Sequence, residues 1–203
     1  MRNMTSIVLA NTDRLQREGL HALIERSDRF RLIGNASVTP DVHALVETSA
    51  VNIVVIDSGF EAYELIHWLS MHSPETRSVV IGPRPDFALL RAALCSGAHG
   101  YVLANDGFDK LLDTIQTVAD GQTCISPNVS TGDVPAPLCA PLSDREWEVI
   151  GHMGAGKSIK TIASHLGVSP RTVDTYRNRI MEKLQLSSVA EIVRFSVCAR
   201  VTQ

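Results

Sequence analysis

Residues 51–57 read VNIVVID, a nearly unbroken β-branched run closed by a carboxylate. A strand buried on both faces has this composition, because neither face meets water. The pattern repeats on either side of it. Ser6–Ala10 (SIVLA), Phe30–Ala36 (FRLIGNA), Ser78–Ile81 (SVVI) and Gly100–Leu103 (GYVL) are further short apolar runs. Residues 13–26, 40–49, 60–72, 86–96 and 108–119 have helical spacing, and the first of these is expected to carry Leu15, Leu20, Leu23 and Ile24 on one stripe. Five strand–helix repeats predict a doubly wound parallel α/β sheet, because parallel neighbours need a crossover connection. The functional crevice of such a sheet lies beyond the carboxyl ends of its strands, where Asn11, Asp57 and Gly82 fall.

The chain changes character after residue 121. Residues 121–141 (GQTCISPNVSTGDVPAPLCAP) lose periodicity and read as a linker. From Leu142 onward only helical patterns occur. Ser143-Asp-Arg-Glu146 forms a capping box ahead of Trp147, Val149, Ile150 and Met153. Ser158 can cap a second helix, and Ser169-Pro170 is an N-cap followed by proline at the first helical position. A last helix holds Val189, Ile192, Val193 and Phe195. The expected division is 1–121, 122–140 as linker, and 141–203, which fits a chain of 203 residues.

Charge divides at the same place. Residues 1–140 hold ten Lys and Arg against sixteen Asp and Glu, whereas residues 141–203 hold nine against six. An acidic front joined to a basic end predicts two jobs. No apolar run approaches the roughly 20 residues of a membrane span, and the start has no signal-peptide pattern, so a cytoplasmic protein is expected. Cys95, Cys124, Cys139 and Cys198 fit no zinc spacing and are expected as reduced thiols, with Cys124 and Cys139 the alternative redox pair. The seven histidines have no metal-ligand spacing, and neither a metal nor a cofactor is expected. Residues 151–158 (GHMGAGKS) match a phosphate-binding loop letter for letter. That loop requires a buried strand before it, and here the preceding segment is an amphipathic helix, so nucleotide chemistry is rejected.

Helix 158–166, a turn at Gly167 and helix 170–184 have the dimensions of a helix-turn-helix. The second helix combines cations, which neutralise phosphates, with Asn and Thr, which can bond base edges. These residues carry a resemblance. The linked blocks LSDRE (142–146), IASHLGVSPRTV (162–173) and IMEKL (180–184) make residues 141–196 resemble the LuxR-type helix-turn-helix of NarL/FixJ response regulators. Residues 5–120 resemble the receiver domain of the same family, through REGL at 17–20, Asp57, SGAHGY at 96–101 and ISP at 125–127. The resemblance implies a flavodoxin-like receiver, a linker and a four-helix DNA-binding domain.

It further implies that residues 170–184 enter the major groove of double-stranded DNA. By helical position Asp174, Thr175 and Asn178 are the base-edge candidates. Ser158, Lys160, Arg171, Thr172, Tyr176, Arg177, Arg179 and Lys183 are the phosphate candidates. Binding as a homodimer on an inverted repeat is expected, with Val189, Ile192 and Val193 as dimerisation candidates, and RNA polymerase or another regulator as a further partner.

Receiver chemistry in this family is phosphoryl transfer to an Asp, assisted by a Mg²⁺ on an acidic pair, a Thr or Ser, and a Lys. Asp57 aligns with the acceptor. The acidic pair aligns with Asn11 and Thr12, the hydroxyl residue with Gly82 and the Lys with Ala104. The loss of these charges predicts an atypical receiver that is not switched by Mg²⁺-dependent phosphorylation. The alternatives are a conventional regulator phosphorylated on Asp57, and an adaptor whose helical domain binds protein. A lone carboxylate without a base or nucleophile pair gives no catalytic residues and no enzyme.

Overall fold

The computed structural model describes residues 4–85, 87–129, 142–184 and 186–198. Cys139 and most of the expected linker lie outside them. The first domain runs β1 Thr5–Ala10, α1 Arg14–Glu25, β2 Phe30–Ala36, α2 Thr39–Thr48, β3 Ile53–Asp57, α3 Ala62–His72, β4 Arg77–Gly82, α4 Phe87–Cys95, β5 Gly100–Leu103, α5 Phe108–Ala119 and β6 Cys124–Ile125. All neighbouring strands pair in parallel, in the order β2-β1-β3-β4-β5-β6.

The strands alternate faces as their residues dictate. Ile7, Leu9, Ile53, Val55, Val79, Ile81 and Val102 join Leu111, Leu112, Ile115 and Val118 of α5 and Ile24 of α1 in one core. Val8, Ala10, Val54, Ile56, Val80, Tyr101 and Leu103 face the other way, toward Tyr63, Leu65, Ile66 and Leu69 of α3 and Leu90 and Ala93 of α4.

Two expectations are corrected. The linker does not begin at 122, because Cys124 and Ile125 add a sixth strand to β5 and Val129 is buried beyond it. A two-residue strand has no period to read. The stripe on α1 is also narrower than expected: Ile24 is buried and Leu20 half-buried, but Leu15 is 82% exposed and Leu23 39%. Only the residues one turn apart at the C-terminal end of α1 reach the sheet.

The second domain consists of α6 Asp144–Gly154, α7 Ile159–Leu166, α8 Pro170–Leu184 and α9 Val189–Cys198. Trp147, Val149, Ile150, Ile162, Ala163, Val173, Ile180, Leu184, Ile192 and Phe195 fill its core. That core is continuous with the α3–α4 side of the receiver, because α4 packs against α8 and α9. Polar contacts fasten the junction: Leu142 N donates to the Cys95 carbonyl (3.2 Å), Arg91 Nη1 to the Leu184 carbonyl (2.8 Å), and His67 Nε2 lies 2.6 Å from Asp144 Oδ1. The expectation of reduced thiols is corrected at Cys95, which is buried at this junction and disulfide-bonded. Cys124 is a free thiol, half-buried on β6. No helix among the described residues is long and apolar enough to cross a membrane.

Candidate nucleic-acid interface

The capping box forms as expected. Ser143 Oγ accepts from Glu146 N, and Glu146 Oε2 accepts from Ser143 N at 2.7 Å. Glu146 is nevertheless almost fully buried, and Lys183 of α8 reaches it with Nζ 2.6 Å from Oε2. Burial opposes the charge on Glu146, but the Lys183 ammonium and the Ser143 amide and hydroxyl outweigh it and hold the carboxyl below its usual range. This pair locks α6 onto the last turn of α8. It also occupies Lys183, which the sequence placed among the phosphate candidates. The signal that could have found it is the helical position of Glu146, three, four and seven residues before Val149, Ile150 and Met153 on the apolar side of α6.

The segment resembling a phosphate loop is a helix end. Helix α6 leads into it, Gly156 stands at φ +73°, and Lys157 Nζ donates to His152 Nδ1 at 3.0 Å. Burial, then the neighbouring Lys157 and His165, push the His152 pKa down, with Glu148 opposing them. His152 is thus neutral when folded and takes a proton more readily when unfolded. Its share of stability is present above about pH 6.5 and is lost as pH falls. The share from Glu146 is present above about pH 4.5 and is lost on further acidification through its lowered folded value. The thermal midpoint is expected to fall in two stages between pH 7.5 and 3. Glu146→Gln should shrink the lower stage, to which Asp106, Glu75 and Glu191 also contribute, and cost about 2 kcal/mol at pH 7, measured by denaturant melts.

Helix α7 starts at Ser158, whose Oγ accepts from Thr161 N at 3.2 Å. It ends at Gly167, φ +65°, a left-handed turn that a residue with a Cβ enters only under strain. Ser169 then caps α8, its Oγ accepting from Thr172 N at 3.1 Å. The turn between the two helices is therefore set by three residues.

On α8, Val173, Ile180 and Leu184 point into the domain. Arg171, Thr175, Asn178, Arg179 and Glu182 are exposed, and Lys160 is exposed on α7. Among the described residues the receiver's α4 meets α8 at its C-terminal end, where Arg91 bonds the Leu184 carbonyl, away from these side chains. The remaining candidates are differently placed. Asp174 Oδ1 pairs with Arg177 Nη1 at 2.9 Å within the helix, so each offsets the other's charge. Thr172 shares a hydroxyl–hydroxyl bond with Ser169 at 2.8 Å, and Tyr176 is packed partly against the core. Among the dimerisation candidates Ile192 is fully buried in its own domain, Val189 is 42% exposed, and Val193 is half-buried. Val197, on the same helix, is 64% exposed.

In the receiver, Asn11 is buried at the end of β1. Its Nδ2 donates to Gln16 Oε1 (2.8 Å) and its Oδ1 accepts from Asp13 N (2.7 Å). Asp13 itself caps α1 through Gln16 N at 2.9 Å. Asp57 Oδ2 accepts from Gly59 N at 2.9 Å. Ala104 opens a 3-10 turn and is exposed, while Asp106 in that turn accepts from Leu103 N and from Asn128 Nδ2. An open cleft of about 510 Å³ lies beyond β1–β3, lined in part by Thr12, Ser37, Thr39 and Glu61.

These residues do not fit the Mg²⁺ that the receiver fold implies. An amide engaged on both its atoms and a threonine stand where two carboxylates would be, and the nearest alternative carboxylate, Asp13, is committed to a helix cap. Position 82 is closed for a further reason. Tyr101 is wholly buried with its ring turned inward, and a Cβ on Gly82 would stand 2.1 Å from its hydroxyl oxygen. Glycine here makes room for the tyrosine, so no hydroxyl side chain fits while Tyr101 keeps this position.

Comparison with known proteins agrees with both halves. The family described as "Bacterial regulatory proteins, luxR family" matches residues 140–196. The transcriptional regulatory protein MctR of Rhizobium johnstonii is 27% identical over 94% of this chain and 92% of its own length. The probable transcriptional regulatory protein NarL of Mycobacterium tuberculosis is 26% identical over 93% of each. The structure of RcsB from Salmonella enterica serovar Typhimurium bound to a promoter superposes with a TM-score of 0.63 at 18% identity, covering 98% of this chain and all of that one, a likeness of fold. Residues 140–196 thus match the model of the luxR family of bacterial regulatory proteins, and they follow an α/β domain with an all-parallel sheet.

Proposed function

We propose that this protein is a DNA-binding transcriptional regulator of the response-regulator type, which reads duplex DNA with α8 as a dimer and without Mg²⁺-dependent phosphorylation of Asp57. The observation that carries the reading is the exposed face of α8. Arg171, Thr175, Asn178 and Arg179 are open to solvent on a helix whose opposite side is fixed in the core. A major groove about 12 Å wide admits such a helix. Thr175 and Asn178 then meet base edges, while Arg171 and Arg179 flank them toward phosphates, with Lys160 and Ser158 adding contacts from α7. Asp174, paired with Arg177, contributes selection against wrong bases rather than attraction.

Dimeric reading follows from magnitude. A good bidentate base contact discriminates by about 1–3 kcal/mol, so one short helix supplies too little and two half-sites are the usual remedy. Val189, Val193 and Val197 on α9 are the available apolar residues; Ile192 serves the core. Exposed Leu15 and Leu23 on α1 offer a second surface.

Independence from phosphorylation rests on Asn11, Thr12, Gly82 and Ala104 together. Incubation with acetyl phosphate and Mg²⁺ is expected to give no phosphoryl adduct by intact-mass spectrometry and no change in DNA affinity. A stoichiometric acid-labile adduct at Asp57 that tightens binding would contradict this and return the protein to conventional control.

A further inference from the structure

The strand order β2-β1-β3-β4-β5-β6 reverses at β1. Helix α1 leaves β1 toward the core shared with α5, whereas α2 and α3 leave β2 and β3 toward the core on the other face. Loops that diverge in this way open a crevice at the carboxyl ends of the strands, where doubly wound sheets bind their ligands. Here the crevice is the cleft of about 510 Å³, within the range of about 300–1,000 Å³ that holds a small organic molecule. Asn11, Asp57, Gly82 and Ala104 do not line it, so it is distinct from the phosphoryl site.

Its walls define what it can hold. Val38 and Pro40 at the start of α2, and buried Phe60 ahead of α3, make part of the lining apolar. Thr12, Ser37 and Thr39 add hydroxyls, each both donor and acceptor. Among the described residues Glu61 is the one charged side chain that lines the cleft, and no Lys, Arg or His does. Its Oε2 accepts from Thr39 Oγ1 at 2.6 Å, and a carboxylate has acceptor sites beyond that bond. Partial burial, and then the charge of Glu61, raise the nearby Glu64 carboxyl above its usual range. A cation seated at Glu61 relieves that repulsion. We propose that this cleft binds a small organic amine, with its apolar body against Val38, Pro40 and Phe60 and its protonated nitrogen on Glu61. An anion is disfavoured, because its charge meets a carboxylate and no cation.

The site lies at the start of a helix that reaches the second domain. Glu61 is the N-cap of α3. On that helix His67 has Nε2 2.6 Å from Asp144 Oδ1, and its ring centroid is 6.3 Å from that of Trp147. A ligand that favours one placement of α3 shifts the junction toward the matching arrangement. The receiver thereby gains an input that needs neither Mg²⁺ nor a change at Asp57. The use of this input to control DNA binding rests on the DNA-reading proposal; the binding site itself does not.

The test titrates the full chain with three probes that share one apolar body: phenylbutylamine, phenylbutanol and phenylbutyrate. Backbone amides are followed by NMR. Phenylbutylamine should give saturable shifts at Thr12, Val38, Thr39, Gly59 and Glu61. It should bind about tenfold or more tighter than phenylbutyrate, with phenylbutanol between them. Glu61→Gln should bring the amine to the affinity of the alcohol and leave the alcohol unchanged. The start of α3 survives this change, because the Glu61 side chain makes no cap bond. Ser37→Trp, at an exposed lining position, should weaken amine and alcohol alike. At saturation phenylbutylamine should also shift the amides of Asp144 and Trp147 and change affinity for the selected duplex by about fivefold or more, and neither effect should occur in Glu61→Gln. No saturable shift at the cleft with amine or alcohol, tighter binding of phenylbutyrate, or an amine preference that survives Glu61→Gln would overturn the site. A saturated cleft with no change at Asp144 or Trp147 would overturn its role as an input. Failure to bind DNA with or without the amine, with the cleft saturated and the junction shifted, would count against the DNA reading alone.

Discussion

Replacing Arg171 and Arg179 together by Ala is expected to cut DNA affinity about a hundredfold or more at physiological salt, on cognate and unrelated duplexes alike. Both guanidinium groups project from the open face of α8. Among the described residues neither stands in an ion pair of the kind that joins Arg177 to Asp174. On a dimer the two substitutions remove up to four phosphate contacts. Each phosphate neutralised contributes about −0.9 to the slope of log K against log salt, so the slope should become shallower by roughly 3.6. Asn178→Ala should behave differently. It removes a side chain suited to bidentate bonding of adenine, so it should cost about 1–3 kcal/mol per half-site on the selected sequence and almost nothing on random DNA. Salt titrations on both duplexes separate the two effects. A Lys183→Ala variant should lose stability before it loses specific contacts, because its ammonium is engaged by buried Glu146.

The second large effect is at position 82. Gly82→Thr, the change that restores the hydroxyl residue of an ordinary receiver, is expected to destabilise the protein by about 3 kcal/mol or more. Its Cβ would stand 2.1 Å from the Tyr101 hydroxyl oxygen and 2.5 Å from Cζ. Contacts that short force a buried ring out of its place, and overpacking a core costs about 1–3 kcal/mol even where neighbours give way. Tyr101 is anchored on β5 between two packed layers. The double variant Gly82→Thr/Tyr101→Ala should recover part of the loss. Denaturant melts of the two single variants and the double variant form a cycle, and a coupling near zero would mean that Tyr101 swings away freely.

How much of this was legible beforehand depended on whether the signal was local. β2 and β5 fall on their expected residues because β-branched and apolar runs with polar flanks have one reading. The starts of α6 and α8 were equally plain, since Ser143 with Glu146 and Ser169 with Pro170 act within a single turn. What sequence missed depends on residues far apart in the chain. Tyr101 filling the space beside Gly82 requires β4 and β5 to be neighbours. Lys183 reaching Glu146 spans 37 positions and converts an expected phosphate contact into a structural one. Ile192 and Val189 are chemically alike on α9, and only packing against α6 decides that one is core and the other surface. The docking of α4 on α8 and α9 has no sequence pattern at all. At the receiver site the residue types were readable, but not that Asn11 is held on both its side-chain atoms.

The most direct test of the account is selection of bound duplexes from a random pool by the unphosphorylated full chain, with a salt titration on the winner. An inverted repeat, bound with a slope that grows shallower in the Arg171→Ala/Arg179→Ala variant, is the result expected of a dimer reading DNA through α8. Enrichment of no sequence by either the full chain or the separately tested segment 141–203 would contradict it and point to a helical domain that binds protein.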